Sequence, residues 1–215
     1  RSSKSFITEN RLADILSTLK KGDYLFVQFA HNDQKPAASL HTDPETTYKQ
    51  ELKVYIDEAR KRGATPVLVT SMPRRRFSSD GHIQNSLGDY PQAMRELAAE
   101  DHVALIDLNK MATDFFDKLG PEKSQAAFLH YPAGTFPGHP EALHDDTHFN
   151  PYGGYELAKL IATGIEQAKL PLSGDLVADI PPQNLDPAKF PDSMGFAYLK
   201  TSTQASATPP PEHTP

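Results

Sequence analysis

Residues 22–33 read GDYLFVQFAHND, and this stretch decides the fold. Within it, residues 23–30 are an almost unbroken run of apolar, aromatic and β-branched side chains, bounded by Gly22 on one side and polar residues on the other. A continuous apolar run of this length is typical of a parallel strand that is buried on both faces. The stretch therefore predicts a buried strand, with His31 and Asn32 directly after its carboxyl end.

The same pattern recurs along the chain. Two more apolar runs predict strands at residues 65–71 and 103–108, and helical spacing of apolar residues predicts helices at residues 7–19, 44–62, 90–100, 108–119 and 151–169. Strands that alternate with amphipathic helices indicate right-handed βαβ units and a parallel sheet covered on both faces. We predict an α/β fold: a three-layer α/β/α sandwich of the doubly wound, flavodoxin-like kind. Residues 120–150, rich in Pro, Gly and His, are predicted to form a long irregular loop.

Composition narrows the function. The chain has 215 residues, a formal net charge of −6 at pH 7 and no cysteine. The acidic balance argues against the basic surface that nucleic-acid binding requires, and no apolar run approaches the ~18 residues needed to cross a bilayer. We therefore expect neither a nucleic-acid nor a membrane partner. Without cysteine there is no thiolate nucleophile, disulfide or Cys-ligated zinc site.

One motif, Asp145-Asp146-Thr147-His148, precedes the last predicted helix. An aspartate three residues before a histidine can accept from one imidazole nitrogen while the other nitrogen faces a nucleophile, as in a serine triad. The alternative is that Asp145 or Asp146 only helps to start the following helix.

Asn32 is a second candidate, because ligands of open parallel sheets bind outside the carboxyl ends of the strands. There its side-chain amide could donate to a developing oxyanion. The alternative is an Asx-turn that closes the strand, with Asp33 as the more ordinary turn former.

Two other groups of residues are candidate sites. A hydrolytic zinc or manganese site would draw on residues of one loop, namely His130, His139, His144 and His148 with Asp145 and Asp146. Consecutive ligands usually cannot bind one ion, and no His-x-x-x-His helix pair is present, so we predict no metal. The run 74–76 is three arginines; in an acidic chain it favours a solvated loop, and the alternative is contact with carboxylates of an acidic polysaccharide.

Several of these segments resemble a known family. FAHNDQ at residues 29–34 resembles the third sequence block of SGNH (GDSL-type) hydrolases, and DDTHFN at 145–150, followed by Gly153, resembles the fifth. The likeness is greatest to rhamnogalacturonan acetylesterases, which share RSSKSF at residues 1–6 and KGDY at 21–24.

This resemblance implies the three-layer fold and deacetylation of a pectic polysaccharide through an acyl-enzyme, without a metal or organic cofactor. It makes His148 the general base, Asp145 its orienting partner and Asn32 an oxyanion donor. The implied partner is an acetylated polysaccharide or oligosaccharide, and the implied location is secreted or periplasmic. Other SGNH activities, such as a lipase, thioesterase or xylan deacetylase, and a non-catalytic carbohydrate-binding module are the alternatives.

The sequence departs from the family at two places. Ala30 stands where the family usually has glycine, and the family's Gly-Asp-Ser nucleophile motif, with a glycine oxyanion donor just before the residue matching Arg1, has no counterpart here. Ser2, Ser3 and Ser5 fit better as polar capping residues of the first helix. We therefore expect the nucleophile and the first strand to lie upstream of Arg1. The alternatives are that the chain was nicked from an N-terminal fragment of the same protein that remains associated as a partner, or that its numbering starts in mid-protein.

The expected domain organisation has three parts. Residues 1–170 are predicted to form the hydrolase-like domain, residues 171–204 an extension that packs on it, and residues 205–215 a flexible Pro-rich tail.

Overall fold

A computed structural model of the chain describes residues 1–138, 140–177 and 179–190. The predicted tail and residues 191–204 of the predicted extension lie outside the described residues. None of the helices in the described part has the length and hydropathy that a membrane crossing requires.

The predicted parallel sheet is confirmed. Its strands are β1 (Tyr24–Val27), β2 (Thr65–Val69) and β3 (Ala104–Ile106), and they lie in the order β1-β2-β3. Both pairings are parallel and in regular register, so that the carboxyl ends of all three strands meet at one edge. In the described residues, β1 pairs with β2 alone, and Phe26 on β1 is 38% exposed.

Alternate residues of the strands face opposite layers of helices, as a pleated strand requires. The helices are α1 (Ser3–Thr8), α2 (Arg11–Thr18), α3 (Lys49–Lys61), α4 (Tyr90–Glu100), α5 (Leu108–Lys123) and α6 (Pro151–Gln167). Leu68 of β2 belongs to one apolar core, with residues of α3 and α4. Val67 and Val69 belong to a second core, with residues of α5 and α6. Two cores on the two faces of the sheet make the three-layer sandwich.

Some predicted helix boundaries were wrong. The single helix expected at residues 7–19 is two helices, because Asn10 adopts a left-handed backbone conformation with φ 59° and breaks it. Residues of the next helix begin as a π-helical turn, Pro44–Tyr48, before α3 starts. Gly120, with φ 73°, kinks α5, which runs four residues beyond its predicted end.

The largest correction concerns residues 120–150, which are not one irregular loop. They contain an antiparallel pair, β4 (Phe128–Tyr131) and β5 (Leu143–Phe149). The ring of Phe149 lies 4.7 Å from that of Phe128 and stacks at 6.2 Å on that of Phe116 from α5. An aromatic cluster formed by distant residues thus fixes this β4–β5 hairpin, whereas its local sequence is too polar to indicate a strand.

The register of the hairpin is irregular at one point. Phe128 pairs with Phe149, but the next residue, Leu129, pairs with Asp145, so residues 146–148 have no partner in β4. We call these three residues the β5 bulge. Bulges re-aim side chains and occur frequently beside active sites.

Within residues 171–177 and 179–190, the chain contacts α6. The Tyr152 hydroxyl donates to the Asn184 carbonyl at 2.6 Å, the Asn184 backbone N–H donates to Glu156 at 2.9 Å, and Phe190 packs edge-on against Tyr152. The boundary at residue 170 stays a prediction.

Candidate active site

The β5 bulge brings Asp145 and His148 together. The Nδ1 atom of His148 donates to Asp145 Oδ2 at 2.6 Å. The other oxygen, Oδ1, accepts from the backbone N–H groups of Thr147 at 2.7 Å and His148 at 3.0 Å. The carboxylate therefore fixes both the ring and the backbone of His148. The His148 side chain is 72% exposed, and in the described residues no hydrogen bond occupies its Nε2 atom.

The electrostatics of Asp145 fit an ionised orienting group. Burial acts to raise its pKa, but the hydrogen bonds from the His148 side chain and from the His148 and Thr147 backbone outweigh burial, and the net pKa is lowered. Asp145 thus stays a carboxylate at neutral pH and favours the tautomer of His148 that carries its proton on Nδ1.

The helix-starting alternative for Asp145 and Asp146 was wrong. The N-cap of α6 is Asn150, whose side-chain oxygen accepts from Gly153 N–H at 3.0 Å. Its amide nitrogen donates to the carbonyls of Ala126 and Phe128, so that Asn150 also ties the helix to the start of β4.

Asp146, the first residue of the bulge, is held from the other side by Arg75. The Arg75 guanidinium donates to Asp146 Oδ1 at 3.0 Å, and the Arg75 backbone N–H donates to the Asp146 carbonyl at 2.9 Å. His130 on β4 shares the same carboxylate oxygen at 2.8 Å. Arg75 also reaches Ser124 and the Pro121 carbonyl, and only 17% of its side chain is exposed. The loop after β2 therefore anchors the segment that carries His148.

Asn32 lines the same cleft as His148. The cleft has a volume of about 490 Å³, in the range of small-molecule sites. Its polar lining is His31, Asn32, Lys35, Arg74, Thr147 and His148, and Met72 and Phe149 form apolar wall. The structure thus brings Asn32 and His148 to one site, with Asp145 behind His148, and their catalytic roles stay predictions.

The side chain of Asn32 is turned toward the start of the chain. Its amide nitrogen donates to the Arg1 carbonyl at 3.2 Å and does not close a local turn. Asp33 is buried and accepts from the backbone N–H and hydroxyl of Ser3 and from the hydroxyl of Thr42. Asp33 therefore holds the first helix against the strand end, while the Asn32 amide lies in the cleft.

His31 is a cleft residue whose character the sequence did not reveal. Burial lowers its pKa to about 4, aided by the positive charge of Arg74 and by the electrostatic interaction with His148, and opposed by a hydrogen bond to the Met72 backbone. The ring is neutral at physiological pH. Its position after a buried strand was the signal that pointed to the cleft.

The capping role expected of the first serines is confirmed for Ser2 and Ser5. Ser2 is the N-cap of α1 in a capping box with Ser5, and Ser3 bonds Asp33. All three serines are buried. In the described residues, no hydroxyl group bonds the Nε2 atom of His148.

The described residues of the candidate metal site do not converge on one point. Across residues 1–138, 140–177 and 179–190, no group of three or more His, Asp or Glu side chains is arranged to hold an ion. His130 bonds Asp146 and stacks edge-on against His144. His139 lies outside the described residues.

Comparison with known proteins identifies the family of the chain. Residues 3–154 match the family described as GDSL-like Lipase/Acylhydrolase. The chain belongs to this family. It is accordingly an ester hydrolase, as its named relatives are.

The curated relatives extend over most of the chain. It is 44% identical over 177 residues to rhamnogalacturonan acetylesterase RhgT of Bacillus subtilis, covering 82% of this chain and 75% of RhgT. It is 41% identical over 180 residues to the probable rhamnogalacturonan acetylesterase YesY of the same organism, covering 83% of this chain and 78% of YesY.

A solved structure agrees on the fold. The crystal structure of the Bacillus subtilis protein YxiM superimposes with a TM-score of 0.66 at 26% identity, covering 80% of this chain. This chain spans 44% of the YxiM chain. The three-layer α/β architecture is thus that of a GDSL-type acylhydrolase.

The sequence did not reveal that the three arginines at residues 74–76 have different surroundings and contacts. Arg74 lines the cleft, Arg75 is paired with Asp146, and Arg76 is exposed. The solvated-loop prediction holds for Arg76 alone. Their position after strand β2 was available as a signal, but the pairing of Arg75 required the hairpin, which the sequence did not reveal.

Proposed function

We propose that this protein removes O-acetyl groups from rhamnogalacturonan by a Ser-His-Asp mechanism. The observation that carries the proposal is the Asp145–His148 pair, joined at 2.6 Å and sharing one cleft with the Asn32 amide. The identity to RhgT and YesY, which are named for this activity, supports the substrate. Because pectic polymers do not enter cells intact, the proposed location is secreted or periplasmic.

The nucleophile in this proposal is a serine upstream of Arg1. The buried serines of α1 are committed to caps and to Asp33, and the Asn32 amide points to the Arg1 carbonyl, which supports a preceding segment beside the oxyanion donor. An N-terminal piece of the same protein is thus the proposed partner.

The proposed reaction runs in two halves. The serine hydroxyl attacks the acetyl carbonyl carbon while His148 Nε2 takes its proton, and Asn32 donates to the oxyanion that forms. The C–O bond to the sugar breaks, the leaving alkoxide takes the proton from His148, and an acetyl-enzyme remains. His148 then takes a proton from water, which attacks the acetyl carbon; the serine leaves with that proton and acetate is released.

The test combines labelling with substitution. In the protein with its upstream segment, a fluorophosphonate probe should label one serine, and peptide mass mapping should place that serine before Arg1. His148→Ala should lower kcat for acetate release from acetylated rhamnogalacturonan by about 10³-fold or more. His144→Ala, on the same strand but outside the cleft lining, is the control and should keep most activity. Labelling of a serine within the 215 residues, or undiminished turnover by the His148 variant, would contradict the proposal.

A further inference from the structure

The cleft beside His148 is positively charged, although the protein as a whole is acidic. The formal net charge is −6, yet none of the described residues that line the cleft is acidic, and two of them, Arg74 and Lys35, are cations. Asp145 lies behind the ring of His148 and is bonded to it. A cleft whose charge is opposite to that of the protein attracts anionic ligands.

Arg74 is a half-buried guanidinium that contacts only uncharged oxygens. Its Nη1 atom donates to the Ser86 carbonyl at 3.1 Å and its Nη2 atom to the His31 carbonyl at 3.3 Å. The Gln34 amide, oriented to donate to Ser86, presents its oxygen to the same guanidinium. Within the described part of the chain, no carboxylate lies in ion-pair range of Arg74.

Two other partly buried arginines do have a carboxylate partner, unlike Arg74. Arg75, which is also partly buried, is paired with Asp146, and Arg95, likewise partly buried, is paired with Asp107. A partly desolvated charge without a counter-charge is costly, and that cost falls when an anion binds. The planar guanidinium fork suits a carboxylate, which it can hold through two parallel hydrogen bonds.

We propose that Arg74, with Lys35 at the rim, forms a subsite for the carboxylate of a uronate residue next to the acetylated position of the substrate. This inference rests on the proposed function and deepens it: the carboxylate selects the acidic polysaccharide, while His148 acts on the ester. The neutral backbone acceptors hold the guanidinium in place before the ligand arrives, so that little ordering is needed on binding.

Binding without turnover tests the subsite separately from catalysis. The probes are an alternating rhamnose–galacturonate oligosaccharide without acetyl groups and the same oligosaccharide with its carboxylates reduced to alcohols, each titrated calorimetrically into the protein with its upstream segment. The acidic form should bind about tenfold or more tightly than the reduced form, and the ratio should shrink as salt rises. Equal affinity of the two forms for the unsubstituted chain would overturn the proposal.

Matched variants locate the effect. Arg74→Gln should reduce the acidic-to-reduced ratio about fivefold or more, and Arg76→Gln, which removes the same charge from an exposed neighbour, should leave it within about twofold. Because Arg74 also bonds the backbone, Arg74→Lys and Lys35→Gln are included. Arg74→Lys should keep part of the preference for the acidic oligosaccharide. Lys35→Gln should lower this preference and leave the Tm of the protein unchanged. An unaltered ratio in Arg74→Gln, or an equal loss in Arg76→Gln, would refute the subsite.

The two proposals can fail independently. If the acidic probe binds through Arg74 but no serine is labelled and no acetate is released, the subsite holds and the esterase proposal fails. If His148→Ala abolishes turnover while Arg74→Gln keeps the acidic preference, the esterase proposal holds and the subsite fails.

Discussion

The parallel sheet and the β4–β5 hairpin meet at one cleft but are held together in different ways. The sheet is regular in register and is buried between two apolar cores. The hairpin has a break in register, carries polar residues on both faces, and is fixed by an aromatic cluster, by Asn150 and by Arg75. The general lesson is that the scaffold depends on apolar burial, whereas the reactive segment depends on a few directional contacts. Three experiments test that contrast.

The largest effect is expected where α6 touches the hairpin. A Cβ atom on Gly153 would lie 2.1 Å from the backbone oxygen of Ala127, an atom that cannot turn aside. Gly153→Ala should therefore lower the free energy of unfolding by about 3 kcal/mol in urea titrations. Gly154→Ala, at the next position, meets nothing within 4 Å and should raise it by about 0.5–1 kcal/mol. Equal stability of the two variants would mean that the hairpin is not packed against α6.

A somewhat smaller effect is expected at the bulge. Arg75→Ala removes the guanidinium bonds to Asp146, Ser124 and the Pro121 carbonyl. It should lower the free energy of unfolding, measured in urea titrations, by about 2–3 kcal/mol. Amide hydrogen exchange of Thr147 and His148, whose N–H groups bond Asp145, should become faster while exchange in β2 is unchanged. Arg76→Ala, an exposed control, should stay within about 0.5 kcal/mol. Unchanged exchange at both amides would show that the guanidinium does not hold the bulge.

The smallest expected effect is a loss of folding stability on acidification, caused by His31 on the sheet side of the cleft. The pKa of His31 is about 4, below its ordinary value of 6.5, so the folded state keeps this ring neutral while the unfolded chain takes up a proton. Its stabilising contribution is full above pH 6.5 and is lost as the pH falls toward 4. Between pH 7 and pH 5 the loss is on the order of 2 kcal/mol.

His31→Gln should show a correspondingly flatter stability profile over that range in urea titrations at the two pH values. His41→Gln, at an exposed position, should follow the unsubstituted protein. If the His31 variant loses as much stability as the unsubstituted protein, another group is responsible for the acid sensitivity.

The same contrast explains what the sequence could predict. A buried strand such as β2 can be predicted, because its continuous apolar run is apparent from the amino-acid sequence alone. The Asp145–His148 pair was also predictable, because three residues of local spacing bring the two side chains together. The hairpin was not, since Phe128 and Phe149 pair across 20 intervening residues, and their stacking partner Phe116 lies on another element.

The three consecutive arginines have a consequence for how this protein can change over evolution. Residues 74–76 are all arginine, yet their side chains have different environments. Arg74 lines the cleft, Arg75 contacts the β5 bulge, and Arg76 is exposed to solvent. Inserting a single alanine before Arg74 would leave the composition of basic residues unchanged but would move the cleft cation to the Asp146 position and the Asp146 partner into solvent. Length, more than charge, is therefore what this loop cannot vary.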